Sequence, residues 1–160
     1  MTLAVTGATG GLGGRVARAL AARGVEQRLL ARDPARAPEL PGATVVRSTY
    51  GDRDLARASL EGVRTLLMVS AAESADRLEQ HLAFVDAAAS AGVQQVVYTS
   101  FYGAAPDATF TLARDHWATE QHLRASGMGF TFLRDNFYLD FLPDLVGEDG
   151  VIREIGRAHV

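Results

Sequence analysis

The sequence predicts an α/β fold, a parallel sheet with helices on both of its faces. Short apolar runs alternate with segments of helical period along the chain. Several of those runs are apolar almost throughout, as strands become when helices cover them on both sides. No internal repeat, linker or low-complexity tract interrupts the alternation.

The elements follow in order. Leu3–Thr6 is the first strand, and a helix over 12–23 opens on the glycines behind it. Gln27–Ala31 is the second strand. Pro34 suits the first turn of a helix over 34–39, with Asp33 as its N-cap. Ala43–Arg47 is the third strand, and the helix over 52–60 can start on Asp52. Arg64–Val69 is the fourth. In the helix over 74–91, Leu78, Leu82, Val85 and Ala89 fall on one buried face, while Asp76, Arg77, Glu79 and Gln80 point away. Gln95–Thr99 is the fifth strand, 109–126 a helix, and Gly129–Leu133 the sixth strand. Asp149-Gly150 signals a turn, after which Val151-Ile152-Arg153 starts a further strand.

Six such βα alternations imply the doubly wound Rossmann arrangement, strand order 3-2-1-4-5-6. Right-handed crossovers then bring the carboxyl ends of all six strands to one edge. Function is expected just after Thr6, Ala31, Arg47, Val69, Thr99 and Leu133.

Composition narrows the chemistry. A chain of 160 residues with 48% hydrophobic and 22% charged residues is the length of one globular domain. No apolar run approaches the ~20 residues of a membrane span, and Met1-Thr2 leads straight into a strand with no signal peptide. The cytoplasm is the default location. Cysteine is absent, which excludes disulfides, thiolate nucleophiles and Cys-ligated metal. A net charge of −3 gives no electrostatic reason to expect nucleic acid. All 16 basic residues are arginine. Schiff-base lysines, a Walker-type lysine and any tyrosine–lysine pair are therefore excluded, whereas the guanidinium fork still grips phosphate well.

Thr6-Gly7-Ala8-Thr9-Gly10-Gly11-Leu12-Gly13 joins the first strand to its helix. Gly7 allows a tight turn, Gly10 lets backbone approach a pyrophosphate, and Gly13 lets helix and strand pack closely. The helix start then offers free N–H groups and its positive dipole end to phosphate. A G-x-x-G-x-x-G spacing between a strand and an amphipathic helix, with further βα units downstream, points to a dinucleotide.

The loop resembles the T-G-x-x-G-x-x-G loop of atypical short-chain dehydrogenase/reductases. Residues 1–153 are similar to the NmrA-like group of that superfamily, above all to its NAD(P)H:quinone oxidoreductase branch. The shared features are Ala31-Arg32-Asp33-Pro34, Tyr50-Gly51-Asp52, Val69-Ser70, Tyr98-Thr99-Ser100, Asp115-His116 with Glu120, and Leu133-Arg134-Asp135-Asn136-Phe137-Tyr138. The resemblance implies that 1–153 is a Rossmann domain lacking the C-terminal portion that completes a substrate pocket. Ile155–Val160 resembles the translation of a sequencing-library adapter, so native sequence is expected to end near Arg153 or Glu154, with 154–160 a non-native tail.

NADP(H) is expected over NAD(H). NAD sites place an acid at the end of strand two, for the ribose 2′-hydroxyl. Arg32 stands there instead and can meet a 2′-phosphate bidentately, its alternative being a solvated surface arginine. The family pattern also has arginine at this place. Tyr50 is expected beside the adenine. Family members often carry an acid before this tyrosine, where this chain has Thr49. Asp52 serves equally as a helix cap.

Ser70, Ala71 and Ala72 should line the nicotinamide ribose, where the family is often richer in serine. Thr99 and Ser100 fall near the catalytic serine of ordinary short-chain dehydrogenases. The positions of their Y-x-x-x-K pair hold Leu112 and His116. Reducing a ketone creates an alkoxide that needs a nearby donor. A quinone gives a stabilised phenolate that can collect its proton from water. Hydride transfer from NADPH to a quinone-like acceptor is therefore expected. The alternative is a non-catalytic NmrA-like redox sensor that binds NAD(P) and regulates a partner protein.

His116 is the candidate titrating group, with Glu120 at i+4 to orient it; an exposed helix pair is the alternative. His81 and His122 read as surface residues, and no metal site is expected. Asn136 is placed to bond the carboxamide. Phe137 and Tyr138 either stack on a flat acceptor or belong to the core of a short closing helix. Oligomeric state is not readable from the sequence.

Overall fold

The chain runs β1 (Leu3–Thr6), α1 (Gly11–Ala22), β2 (Gln27–Ala31), a 3-10 turn (Pro34–Arg36), β3 (Ala43–Arg47) and α2 (Arg53–Ser59). It continues through β4 (Thr65–Met68), α3 (Arg77–Ser90), β5 (Gln95–Phe101), α4 (Thr111–Ala125) and β6 (Gly129–Asp135). The structure, a computed structural model, describes residues 2–136, 138, 143, 146 and 149–151. The short closing helix around 137–142, most of the strand expected from Val151 and the 154–160 tail lie outside the described residues. Asp149 and Gly150 do form a turn, in which the Val151 N–H donates to Asp149 Oδ1 at 3.2 Å.

All six strands are parallel, in the order β3-β2-β1-β4-β5-β6. One face carries the larger core, where Phe84 and Val85 of α3, Leu60 after α2 and Leu123 of α4 meet Leu66, Met68, Val96 and Tyr98. The other face carries a smaller one, with Ala17 of α1 against Val5, Leu29 and Leu67. Among the described residues, no helix is long and apolar enough to cross a membrane.

The first three strands lie where the sequence places them, and the differences elsewhere have local causes. The helix expected over 34–39 is a single 3-10 turn. Asp33 caps it, the Ala35 N–H donating to Asp33 Oδ1 at 3.1 Å. Pro38 then disfavours helical geometry at Ala37, which is extended at φ −73 and ψ 146. Asp52 caps α2 in the same way, accepting from the Leu55 N–H at 3.0 Å. β5 and β6 run two residues further than expected, pairing Ser100 with Arg134 and Phe101 with Asp135.

The buried face of α3 requires correction. Arg77, His81, Phe84, Val85, Ala87 and Ala88 are its buried residues. Leu78 and Leu82 instead flank an open groove with Ala75 and Ala83. The hydrophobic pattern assumed that a charged side chain faces water, but Arg77 and His81 find polar partners inside.

β1 and α1 meet across a turn that glycine makes possible. Gly7 has φ +64, a left-handed conformation that disfavours a side chain. At Gly13 a Cβ would lie 2.6 Å from Thr6 O and closer still to Gly7 O. At Gly11 a Cβ would meet nothing within 4 Å. Gly13→Ala is therefore expected to destabilise the fold by about 1–3 kcal/mol through backbone overpacking, whereas Gly11→Ala stays within about 0.5 kcal/mol of the parent. Urea unfolding of the two variants checks the contrast.

Candidate functional site

A cleft of about 740 Å³ opens at the carboxyl ends of β1, β2, β3 and β4. It straddles the boundary between β1 and β4, the point where strand order reverses and where doubly wound sheets place their ligands. Gly7, Thr9, Gly10, Gly11, Leu12 and Gly13 form one wall. The Gly10 N–H closes the turn onto Gly7 C=O at 2.9 Å, and the Gly14 N–H begins the helical ladder onto Gly10 C=O at 3.1 Å. The amides of Gly11, Leu12 and Gly13 precede that ladder and face no capping side chain. No acidic residue occupies the first turn of α1 to repel an anion. Bare amides, a dipole end and the absence of a carboxylate there suit a pyrophosphate.

Arg32 lines the cleft at the end of β2 and is exposed. Asp33, one residue on, spends its carboxylate on the 3-10 turn. Tyr50 also lines the cleft, but its hydroxyl works beneath it. That hydroxyl donates to Val69 C=O at 2.6 Å and lies 2.7 Å from Thr6 Oγ1, while the ring packs on Phe84 at 4.2 Å. Burial pushes the phenol above its usual range. Ser70, Ala71 and Ala72 line the β4 side, and Tyr138 reaches the cleft from beyond β6.

Five predicted site residues lie elsewhere. Ala8 is buried beneath the loop, packed with Val5 and Ala17. Asn136 is exposed but not part of the cleft lining. Thr99 and Ser100 are buried, with their hydroxyls engaged internally. Thr99 Oγ1 accepts from the Ser70 N–H at 2.8 Å, and Ser100 Oγ donates to Glu120 Oε1 at 2.6 Å. Both support the site from behind. Phe137 lies outside the described residues.

His116 is the fifth and needs the largest correction. It is buried, Glu120 is not its partner, and it does not titrate near neutrality. Arg77 NH2 lies 3.0 Å from His116 Nε2, and Tyr98 Oη lies 2.8 Å from His116 Nδ1. A guanidinium can only donate, so Nε2 accepts and the single ring proton sits on Nδ1, directed at Tyr98. His81, expected at the surface, is fully buried. The Ala71 N–H donates to its Nε2 at 2.9 Å, which puts the His81 proton on Nδ1, facing Thr119 Oγ1 at 3.2 Å. Burial, then the Arg77 charge, lowers His116 to about 4 and His81 to about 3. Both imidazoles are neutral at pH 7.

Glu120, also fully buried, belongs to a separate cluster. Arg134 at the end of β6 grips it bidentately at 2.9 and 2.7 Å. Burial works to raise its pKa, but the hydrogen bonds from Arg134 and Ser100 outweigh it and hold the carboxyl below its usual range. Sequence spacing hid these pairings because their partners come from distant elements. Ser48, Ser74 and Gln80 also line the cleft and were not singled out, and Thr49, noted only as standing where relatives often carry an acid, lines it too. Ser48 and Thr49 directly follow β3, at one of the strand ends where function was expected.

A family model, described as the NmrA-like family, matches residues 1–147. The chain belongs to the NmrA-like family. Two relatives of this NmrA-like chain are reductases by name. Quinone oxidoreductase 2 of Escherichia coli is 38% identical over 140 residues, covering 85% of this chain and 49% of that protein. NAD(P)H azoreductase of Xenophilus azovorans is 33% identical over 159 residues, covering 98% and 54%. Among solved structures, Citrobacter triphenylmethane reductase complexed with NADP(H) superposes with a TM-score of 0.82 at 33% identity, covering 89% of this chain and 52% of that one. The NmrA-like chain thus spans about half the length of the curated relatives it matches.

The buried histidines set a pH dependence. Their folded pKa values lie below the unfolded value of 6.5. As pH falls, the unfolded chain takes up protons that the folded chain refuses, so stability present above pH 6.5 is lost progressively towards pH 4. Urea unfolding across that range should register uptake of up to two protons on unfolding. Separately, Arg134→Ala strands the Glu120 carboxylate and should cost about 2 kcal/mol, below the roughly 3–5 kcal/mol of a fully buried pair because Arg134 is half-exposed. Chemical denaturation at neutral pH measures it.

Proposed function

We propose that the chain is the NADP(H)-binding part of an oxidoreductase that passes hydride to a quinone-like acceptor. The observation that carries the cofactor choice is at the end of β2. Arg32 stands free to meet a 2′-phosphate, while Asp33, the acid that would suit a ribose hydroxyl, is committed to capping Pro34–Arg36. The amides of Gly11, Leu12 and Gly13 would hold the pyrophosphate, and Ser70, Ala71 and Ala72 would flank the nicotinamide half. A bound NADPH supplies the hydride. The NADP(H) complex of the triphenylmethane reductase and the names of the quinone and azo reductases support this reading.

The acceptor class follows from the proton inventory. Among the described residues, the two cleft-lining phenols are Tyr50 and Tyr138. The Tyr50 proton is committed to Val69 C=O, and the Tyr138 hydroxyl donates to Asp135 Oδ2 at 3.5 Å. His116, at the position of the ordinary lysine, is a buried neutral ring that donates to Tyr98. Such a site favours acceptors whose reduced form is a stabilised anion able to take its proton from water. Quinones meet that condition and ketones do not. Tyr138, 47% exposed at the cleft, offers a face for a planar acceptor.

Steady-state oxidation of NADPH and NADH with benzoquinone or naphthoquinone tests the proposal. NADPH should be preferred by about tenfold or more in kcat/KM, and Arg32→Ala should erase most of that preference. Equal use of both cofactors by the parent chain would refute the role of Arg32. Tight NADP binding without turnover, accompanied by cofactor-dependent capture of a partner protein, would favour the sensor reading.

A further inference from the structure

The two walls of the cleft treat their backbone in opposite ways. At Gly11–Gly13 the amides are left open for a ligand. After β4, three consecutive amides are all taken by side chains of the protein. The Val69 N–H donates to Thr6 Oγ1 at 2.8 Å, the Ser70 N–H to Thr99 Oγ1 at 2.8 Å, and the Ala71 N–H to His81 Nε2 at 2.9 Å. Two carbonyls of the same stretch are gripped as well. Tyr50 Oη donates to Val69 C=O at 2.6 Å, and Arg77 Nε donates to Ala71 C=O at 3.0 Å.

Ala71 is the point where this grip is closest. Both of its flanking peptide groups are held by α3, by side chains four residues apart on its inner face. Arg77 is 2% exposed, and a guanidinium buried so far costs several kcal/mol unless its donors are engaged. They are engaged: NH1 meets Asp115 Oδ2 at 3.1 Å and NH2 meets His116 Nε2. His116 is in turn held by Tyr98 Oη, and the His81 ring sits edge-on to Tyr50 and Tyr98 at 5.7 and 5.9 Å. The hydrogen bonds are directional, and Arg77, His81, Tyr98, Asp115 and His116 themselves do not line the cleft. An arginine spent this way, at a position where a leucine would pack more cheaply, calls for a function in the segment it holds.

We propose that Arg77 and His81 are positioning residues of the dinucleotide site, holding the peptides on either side of Ala71 so that the β4 wall has its ligand-ready shape before any ligand arrives. The proposal rests on the cofactor reading above. The wall then contributes preformed shape and the Ser70 side chain, with the Val69, Ser70 and Ala71 amides already committed, and binding carries no cost for ordering that stretch.

Amide hydrogen exchange and calorimetry test this on the whole chain. In the ligand-free protein the Ser70 and Ala71 amides should exchange as slowly as those of Leu66 and Leu67 inside β4, and NADPH should leave them unchanged. His81→Phe should speed exchange at Ala71 and raise the NADPH Kd about tenfold, while His81→Gln, whose Oε1 can accept the same N–H, should restore Kd to within about threefold. Ala71 exchanging at loop rates until NADPH protects it would overturn the proposal, and so would a folded His81→Phe with unchanged Kd. The parent-chain exchange decides the matter even where His81→Phe does not fold. Fast exchange in a chain that binds NADPH overturns the clamp alone. Slow exchange in a chain that binds no NADPH counts against the cofactor reading and removes the role given to the clamp.

Discussion

The first turn of α1 is held hard against the strand before it, and that contact fixes where its bare amides meet a phosphate. In this chain that closeness is enforced at Gly13, where the backbone of α1 runs so near Thr6 and Gly7 that a single methyl would strike their carbonyls. Gly7 turns the chain through a left-handed conformation to make the approach possible. From that contact follow the direction in which Gly11, Leu12 and Gly13 aim their N–H groups and the position of the cleft between β1 and β4. An acid in the first turn of α1 would cancel the field those amides produce, and none is present.

Around this centre the protein divides its polar groups between two tasks. The amides of the phosphate loop are kept open. Behind the β4 wall, polar side chains are buried and bonded to one another until little hydrogen-bonding capacity remains. Arg77, His81, Tyr98, His116 and Asp115 form one such cluster, and Ser100, Glu120 and Arg134 another. Partly satisfied networks of this kind cost more than an apolar core, and fully satisfied ones fix a unique arrangement. Both clusters anchor α4, the first to α3 and β5 and, through His81 and Arg77, to the β4 wall, the second to the ends of β5 and β6.

The architecture was legible because it rests on local signals. Three strands match residue for residue, the sheet order follows from the βα count, and the glycine spacing locates the turn at Gly7 and the close approach at Gly13. The caps at Asp33 and Asp52 were equally readable, since each bonds an amide two or three residues away. The interior of the site was not. Arg77 meets Asp115 and His116 across separations of 38 and 39 residues, and no periodicity within α3 announces a buried guanidinium. Placing Leu78 and Leu82 inward followed from assuming that charge faces water. Glu120 at i+4 from His116 suggested a pair, yet the carboxylate turns to Arg134 and Ser100, which extension of β5 and β6 brings alongside.

The most direct test of the account is the behaviour of the α1 amides when a dinucleotide is added. Titrating the isotopically labelled chain with NADPH and following its amide resonances should move Gly11, Leu12 and Gly13 first and furthest, with Ser70 and Arg32 responding in the same concentration range. Resonances at Gly11–Gly13 that stay fixed at saturating NADPH and NADH would contradict it.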